Sequence, residues 1–199
     1  YLLSVVVLFF IASSFSGCGY NSLVSSEETI SSAWAQVENQ YQRRADLIPN
    51  LVQTVQGAAD FEKSVLTEVT EMRSRVGQVK LNADDLNDPE KFAKYQQAQD
   101  GLSSALSRLL VVTENYPQLR SNENFLQLQS QLEGTENRIS VERKKFNEAV
   151  QAFNTQVRSF PTVITAKIFG FKEKPYFKGK EGSENAPDVN FDFNKKDKK

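Results

Sequence analysis

A row of large apolar residues, repeated every seven positions, constrains the fold of this 199-residue chain more than any other feature. The row consists of Phe125, Leu132, Ile139, Phe146 and Phe153. A seven-residue repeat matches two helical turns, so the row predicts one long helix with a continuous apolar seam. The companion seam, four residues further along, reads Gln129, Glu136, Arg143, Val150 and Val157. Its polar first half predicts residues that set the register of a helical bundle or face a partner.

The first helix of the body is predicted to begin at Ser25-Ser26-Glu27-Glu28, because the pattern Ser-x-x-Glu forms a capping box. One apolar face follows at Ile30, Trp34, Val37 and Tyr41. Pro49 then either breaks this helix, with Asp46 capping a new one, or kinks it. The helical period continues beyond Pro49 as far as Val79.

Another helix is predicted to begin at Asp88-Pro89, because aspartate caps a helix and proline suits its first position. The carboxylates of residues 82–89 do not form an EF-hand loop, which needs alternating ligands and a central glycine. We expect this helix to end near residues 115–117 and the last long helix to stop at residues 159–161. The chain is therefore predicted to be all-α, with an antiparallel bundle of three long helices, or four if Pro49 breaks the first, in residues 19–161.

The composition removes several classes of chemistry. Histidine is absent, which excludes zinc sites with imidazole ligands and nucleophilic relays that depend on histidine. The single cysteine cannot form an internal disulfide or a Cys-x-x-Cys pair. A net charge of -1 gives no strongly charged surface for nucleic acid. We predict no enzymatic activity, no metal or other cofactor, no small-molecule substrate and no nucleic-acid partner.

The first 26 residues carry no charge, and the block from Leu2 to Ala12 is strongly apolar. This block is shorter than the roughly 20 residues that a membrane-spanning helix needs. Small residues follow it, and Ser16-Gly17-Cys18 resembles a bacterial lipobox, at which a signal peptide is cut and the thiol acylated. Residues 1–18 are predicted to be a signal peptide or membrane anchor with Cys18 as the lipidation site. An uncleaved transmembrane helix is the alternative, and both place the body outside the cytoplasm, facing the periplasm or the cell exterior.

Residues 162–199 are predicted to be largely irregular. Aromatic residues alternate with lysines here, at Phe169, Phe171, Tyr176 and Phe177. Such a strip either packs back on the bundle with its lysines in water or lies at a membrane interface. From Gly179 onward, glycine and polar residues predict disorder.

Several segments together resemble the LemA family. They are RRADLIPNLV at residues 43–52, ENYPQLRSNENFLQL at 114–128, EGTENRI at 133–139 and FGFKEKPYF at 169–177, with shorter matches at Tyr20-Asn21-Ser22-Leu23, Ala33-Trp34, residues 68–73 and residues 159–161. The resemblance implies a membrane anchor followed by a helical bundle, no established catalytic activity and no cofactor. Members commonly carry a plain transmembrane helix, whereas Gly17-Cys18 favours lipid attachment here.

The sequence favours a non-enzymatic, membrane-tethered scaffold or adaptor of the bacterial cell envelope, with a protein partner or a second copy of itself. The predicted interaction surface consists of Arg43, Arg44, Asp46, Glu136 and Arg143. The same residues also suit helix capping and ion pairs inside the bundle, which is the simpler interpretation. One alternative is membrane remodelling by oligomers. Another is an envelope hydrolase that uses a carboxylate pair such as Glu133 and Glu136, or Glu71 and Asp46.

Overall fold

The computed structural model describes residues 2–57 and 61–179, with side chains from residue 19 onward except that of Asp84. Its α-helices are α1 (Leu2–Gln56), α2 (Lys63–Gln78), α3 (Pro89–Thr113), α4 (Pro117–Arg120), α5 (Glu123–Arg158) and α6 (Thr162–Phe169). A 3-10 helix, Ala83–Asn87, precedes α3. The all-α prediction is confirmed. The predicted start of α3 is confirmed, since Asp88 caps it by accepting from the backbone N–H groups of Glu90 and Lys91. The helix ends at Thr113, two residues before the predicted 115–117, and α5 stops at Arg158, directly before the predicted 159–161.

The predicted helix start at Ser25 is wrong, because α1 passes through this position without a break. Upstream residues already supply the carbonyl groups that the backbone N–H groups here need, so there is nothing left to cap. The nearby hydroxyls bond backward along the helix instead: Thr29 Oγ1 donates to the Ser25 carbonyl at 2.9 Å, and Ser31 Oγ donates to the Glu27 carbonyl at 3.2 Å. The apolar N-terminal segment and the bundle therefore share one helix.

Pro49 does not break α1, although proline removes one helical hydrogen bond and leaves the carbonyl four residues earlier without its donor. That carbonyl belongs to Ala45, and Arg73 of α2 donates to it from Nε at 3.2 Å. The neighbouring helix thus satisfies the group that proline leaves open. The break falls later, after Gln56, where the chain turns at Gly57. Four long helices result, as one of the two alternatives predicted, but with the division at another place.

The four long helices enclose two apolar clusters. In the first, which we call the proximal core, Trp34 of α1 packs with Phe92 of α3 and Phe146 of α5. In the second, the distal core, α1 and α3 pack with Leu132 and Phe125 of α5. All five residues of the heptad row are buried, three in the proximal core and two in the distal core. The seam predicted from the seven-residue repeat is confirmed.

Residues 171–179, which we call the strap, run back along α5 without helix or strand structure. The Asn154 amide donates to the Lys174 carbonyl and accepts from its N–H, both at 2.9 Å. Asn147 holds Phe177 in the same way, at 3.0 and 2.9 Å. Three residues of extended chain and seven residues of helix both span about 10 Å, so the two asparagines, one heptad apart, meet strap residues that are three apart.

The C-terminal segment therefore differs in part from its prediction. The helix α6 interrupts the stretch that was expected to be largely irregular. The strap packs back on the bundle, and Phe177 is buried in the proximal core. Lys174 is buried as well rather than in water, because its ammonium group donates to Glu27 Oε1 and Asn87 Oδ1, both at 2.8 Å. The predicted disorder beyond Gly179 concerns residues outside the described part of the chain.

Replacing Asn154 with alanine is expected to loosen the strap and to lower the free energy of unfolding by about 1–3 kcal/mol. The reason is that the buried N–H and C=O of Lys174 lose their partner. Hydrogen–deuterium exchange of residues 171–179 should become faster. The neighbouring Thr155, whose exposed hydroxyl bonds only to its own helix, supplies the control Thr155→Ala. Equal protection of the strap in the two variants would contradict the role given to Asn154.

Candidate functional site

A layer of polar side chains separates the proximal core from the distal core, and we call it the polar layer. It consists of Tyr41 and Arg44 of α1, Gln99, Asp100 and Ser103 of α3, and Thr135, Glu136 and Arg143 of α5. On each helix a polar residue occupies a position at core spacing. Arg44 lies between Tyr41 and Ile48, Gln99 between Tyr95 and Leu102, and Thr135 between Leu132 and Ile139. The three-and-four spacing that builds the apolar seams therefore also carries these polar side chains inward.

Arg44 is the centre of the layer, and its side chain is 0% exposed to solvent. One terminal nitrogen donates to Glu136 Oε1 at 2.7 Å and to the Ser103 hydroxyl. The other donates to the side-chain and main-chain oxygens of Gln99. Ser103 in turn donates to the second oxygen of Glu136 at 3.1 Å. One guanidinium group thus connects α1, α3 and α5, and the carboxylate of Glu136 balances its charge.

Arg143 forms the second half of the layer. Its Nε donates to Tyr41 Oη at 2.7 Å, and a terminal nitrogen donates to Asp100 Oδ1 at 2.8 Å. The guanidinium also lies over two rings, 5.5 Å from the centre of Tyr41 and 4.9 Å from that of Phe177. Burial raises the pKa of Tyr41 far above its ordinary value, although Arg143 opposes the shift. Tyr41 is therefore a neutral phenol at any physiological pH, and Arg143 joins the layer to the strap.

Two grooves reach the polar layer from solvent. The first, with a volume of about 670 Å³, lies between α3 and α5, where Asp100, Glu136 and Arg143 form part of its wall and the strap residue Lys178 lies at its edge. The second, of about 470 Å³, lies between α1, α2 and α3 and reaches Tyr41 and Gln99. The layer is thus buried at Arg44 and accessible at its rims.

The structure brings together three of the five residues predicted as an interaction surface. Arg44, Glu136 and Arg143 lie in the polar layer, where Glu136 bonds to Arg44 and Arg143 pairs with Asp100. The internal interpretation of these residues therefore holds for Arg44, which has no exposed surface at all. Arg43 and Asp46 remain exposed on α1, and Asp46 accepts only from Gln42 of its own helix among the contacts described. The predicted lipidation site, Cys18, lies outside the side chains that the structure describes.

Sequence reasoning missed the contributions of α3. It named none of Gln99, Asp100 and Ser103, although these residues supply the acceptors for both arginines. One signal was present: Gln99 follows Tyr95 by four residues and precedes Leu102 by three, which is core spacing. A polar residue at such a position predicts a buried partner on another helix.

The carboxylates considered for hydrolysis bond to other partners or lie on the surface. Glu133 accepts from Gln129 of its own helix, whereas Glu136 faces Arg44, and Glu71 and Asp46 are exposed on different helices. The two carboxylates of the polar layer face guanidinium donors. Among the side chains that the structure describes, no three acidic or cysteine residues come together as a group that could hold a metal ion.

A family model described as the LemA family matches residues 33–191, which include the whole polar layer and the strap. The chain belongs to the LemA family. The resemblance carried by the sequence motifs is thereby confirmed for this LemA-family protein.

Curated relatives of this LemA-family protein include two kinds of protein. Magnetosome protein MamQ 2 of Paramagnetospirillum magneticum is 27% identical over 177 residues, which cover 81% of this chain and 65% of the relative. Magnetosome protein MamQ of Magnetospirillum gryphiswaldense is 26% identical over 174 residues, 79% of this chain and 64% of the relative. Protein LemA of Metamycoplasma hominis is 20% identical over 161 residues, 81% of this chain and 69% of the relative. The chain thus spans about two thirds of the length of these relatives.

Among the side chains that the structure describes, no helix is both long enough and apolar enough to cross a bilayer. The apolar block of residues 2–12 and the lipobox-like residues 16–18 lie outside those side chains. The signal peptide, the lipid anchor and the alternative transmembrane helix therefore remain predictions for this LemA-family protein.

Proposed function

We propose that this LemA-family protein is a membrane-tethered helical scaffold of the cell envelope, which holds a partner protein near the membrane and catalyses no reaction. The observation that carries the proposal is the unbroken course of α1 from Leu2 to Gln56. Whether the anchor is a lipid on Cys18 or the uncleaved apolar helix, α1 joins it to the bundle without a flexible linker, which would let the bundle move away from the membrane. The part of α1 beyond residue 19 is about 56 Å long, at 1.5 Å a residue.

The polar layer supports a structural role in this proposal. A buried ion pair contributes little net stability, but it discriminates against wrong helix registers, because a shifted helix would bury an unpaired charge. Arg44 contacts α3 and α5 at once and so specifies how both lie against α1. We infer that the layer keeps the outer face of the bundle in one arrangement, as a scaffold requires.

The proposed contact surface for a partner comprises Arg43 and Asp46 and the rim of the groove between α3 and α5. Arg43 lies about 36 Å along α1 from residue 19. Both charges are exposed, and Glu136 and Arg143 present their outer atoms in the groove. A partner anchored in the same membrane reaches this height with a domain of ordinary size.

Charge reversal tests this surface. Full-length protein with Arg43→Glu and Asp46→Lys should retain its fold and lose its main crosslinked partner in intact cells, as identified by mass spectrometry. Arg138→Glu, an exposed charge on α5 without a described partner, is the control and should crosslink as the unchanged protein does. An unaltered crosslinking pattern in the double variant would remove Arg43 and Asp46 from the surface.

The need for a membrane anchor is tested separately from the need for any reactive carboxylate. A form that lacks residues 1–18 and is exported by a cleavable signal should fold and fail to restore the phenotype of a deletion strain. Full-length Glu71→Gln and Glu133→Gln should restore it, because neither carboxylate is expected to react. Full restoration by the soluble form would refute the scaffold. One indispensable carboxylate in a folded variant would favour the hydrolase instead.

Cys18 is proposed as the lipid-bearing residue. The intact mass of protein extracted from membranes should lack residues 1–17 and include acyl chains on the new N-terminal cysteine. Two or more chains give stable attachment, whereas a single chain binds only marginally. A mass that still contains residues 1–17, with a free thiol, would support the uncleaved helix and leave the scaffold proposal intact.

Membrane remodelling by oligomers is a second candidate function. It draws support from an open groove between α1 and α5, whose α1 wall includes small side chains at Ser25, Thr29, Ser32 and Ala33 among larger ones. Small residues allow close approach of another helix. The mass of the detergent-extracted protein distinguishes the two functions. A monomer that becomes an oligomer neither with concentration nor in vesicles would exclude remodelling by this route.

A further inference from the structure

The short helix α6 and the residues directly before it expose a group of large apolar side chains. The exposed fractions are 82% for Phe160, 53% for Ile164, 72% for Ile168 and 59% for Phe169. These four side chains fall within ten consecutive residues. The opposite face of α6 packs against the bundle, where Thr165 and Ala166 are buried. Contiguous exposed apolar residues of this kind mark a surface that something else covers.

The position of α6 identifies what covers this surface. The helix packs on the first described side chains of α1, where an added Cβ on Gly19 would lie 3.3 Å from Thr165 Oγ1. The ring of Phe169 lies 4.7 Å from that of Tyr20, centre to centre. The apolar block of α1 ends at Ala12, about 10 Å further along the same helix. The exposed surface of α6 is therefore at the end of the bundle from which the proposed anchor continues.

The charges around α6 fit the same location. Between residues 158 and 172 the chain carries Arg158, Lys167 and Lys172 and no acidic residue. All three basic side chains are exposed, but Arg158 pairs with Glu173 at 3.9 Å, so Lys167 and Lys172 supply the positive charge of this region. Apolar side chains flanked by lysine and arginine are typical of segments that lie in the interface of an anionic bilayer. The aromatic residues Phe169 and Tyr20 suit the same depth, where rings accumulate at the level of the headgroups.

We propose that residues 160–169 form an interfacial lipid-binding segment, in which Phe160, Ile164, Ile168 and Phe169 enter the boundary between headgroups and acyl chains. Lys167 and Lys172 then lie at the level of the lipid phosphates. The inference rests on the proposed membrane tether and adds a second point of attachment to it. Two points of attachment, at α1 and α6, hold the bundle at one tilt relative to the membrane.

Tryptophan quenching by lipids with brominated acyl chains tests the contact on the full-length chain in phosphatidylcholine–phosphatidylglycerol vesicles. The only native tryptophan, Trp34, is buried in the proximal core and serves as the background. Phe169→Trp adds a reporter within the segment, and its emission should fall about two-fold in the brominated vesicles. Val111→Trp adds one at an exposed position of α3 beside the distal core. Its emission should be unchanged.

A second variant separates lipid contact from simple proximity. Ile164→Glu and Ile168→Glu, introduced together with Phe169→Trp, change exposed side chains and should leave the fold intact. The chain should still sediment with vesicles through its N-terminal anchor, while the quenching of the reporter is lost. The matched control is Val141→Glu, an exposed apolar residue on α5, which should leave quenching unchanged.

Each other outcome overturns the inference in a recognisable way. An unquenched reporter in a chain that sediments with vesicles would refute lipid insertion and leave the tether standing. A reporter whose emission shifts to shorter wavelength without quenching would place a second copy of the chain on the segment. Equal quenching at positions 169 and 111 would show a body that lies flat on the bilayer. A chain that does not sediment with vesicles would refute the tether and this inference together.

Discussion

Replacing Arg44 with methionine is expected to lower the free energy of unfolding by about 1–3 kcal/mol, because buried Gln99 loses its donor and the partly exposed carboxylate of Glu136 loses its cation. The variant leaves Glu136 without its cation and leaves the side-chain oxygen of Gln99 without its donor inside the bundle. For a chain of this length the melting temperature should fall by about 2–12 °C. Urea unfolding followed by circular dichroism measures the free energy directly.

The adjacent arginine is the matched control. Arg43→Met removes the same charge from an exposed position and should change the stability by no more than about 0.5 kcal/mol. Arg44→Met combined with Glu136→Leu should recover part of the loss, because removing both charges abolishes the unpaired carboxylate. Equal losses in Arg43→Met and Arg44→Met would mean that the polar layer does not hold the helices together.

Replacing Phe146 with alanine is expected to cost about 3–5 kcal/mol, which is typical of a large aromatic residue in a core. Phe146 is fully buried, and its ring centre lies 5.8 Å from that of Trp34, 5.9 Å from that of Phe92 and 5.3 Å from that of Phe177. These rings come from α1, α3 and the strap, so the cavity would open where all of them meet. The emission of Trp34 should shift to longer wavelength as water gains access.

Gln129→Ala serves as the control for Phe146→Ala. Gln129 lies on the companion seam of α5, is only partly buried and donates only to Glu133 of its own helix. Its replacement should change the melting temperature little. Similar melting shifts in the two variants would show that the heptad register of α5 has been assigned to the wrong face.

Local sequence patterns predicted the structure correctly where they agreed with the packing of the helices. The row from Phe125 to Phe153 predicted the buried face of α5, and Asp88-Pro89 predicted the start of α3. Local patterns gave wrong predictions where the effect of a residue depends on neighbouring turns of the helix or on another helix. The capping pattern at Ser25 has no effect inside a helix that is already formed, and Pro49 stays helical because Arg73 of another helix satisfies Ala45.

In the candidate site, too, some residues could be identified from the sequence and others only from the structure. Arg44, Glu136 and Arg143 were identified from the sequence, either as a surface for partners or, in the simpler interpretation, as members of ion pairs inside the bundle. Their partners on α3, Gln99, Asp100 and Ser103, are more than fifty residues from Arg44 in the chain. No local pattern states that such distant residues meet. The exposure of each arginine was therefore open until the helices were placed.

The sequence by itself determined that this protein is helical, where its long apolar seam lies and which family it resembles. It also excluded chemistry that depends on histidine, because the chain contains none. Helical periodicity and side-chain composition are local properties, and they can be read without the fold. Only the tertiary structure decided that Arg44 is buried and internally paired, that the strap lies against Asn147 and Asn154, and that α6 turns its apolar face outward beside the start of the bundle. These three features depend on contacts between residues far apart in the chain, because burial and ion pairing are properties of the packed helices together.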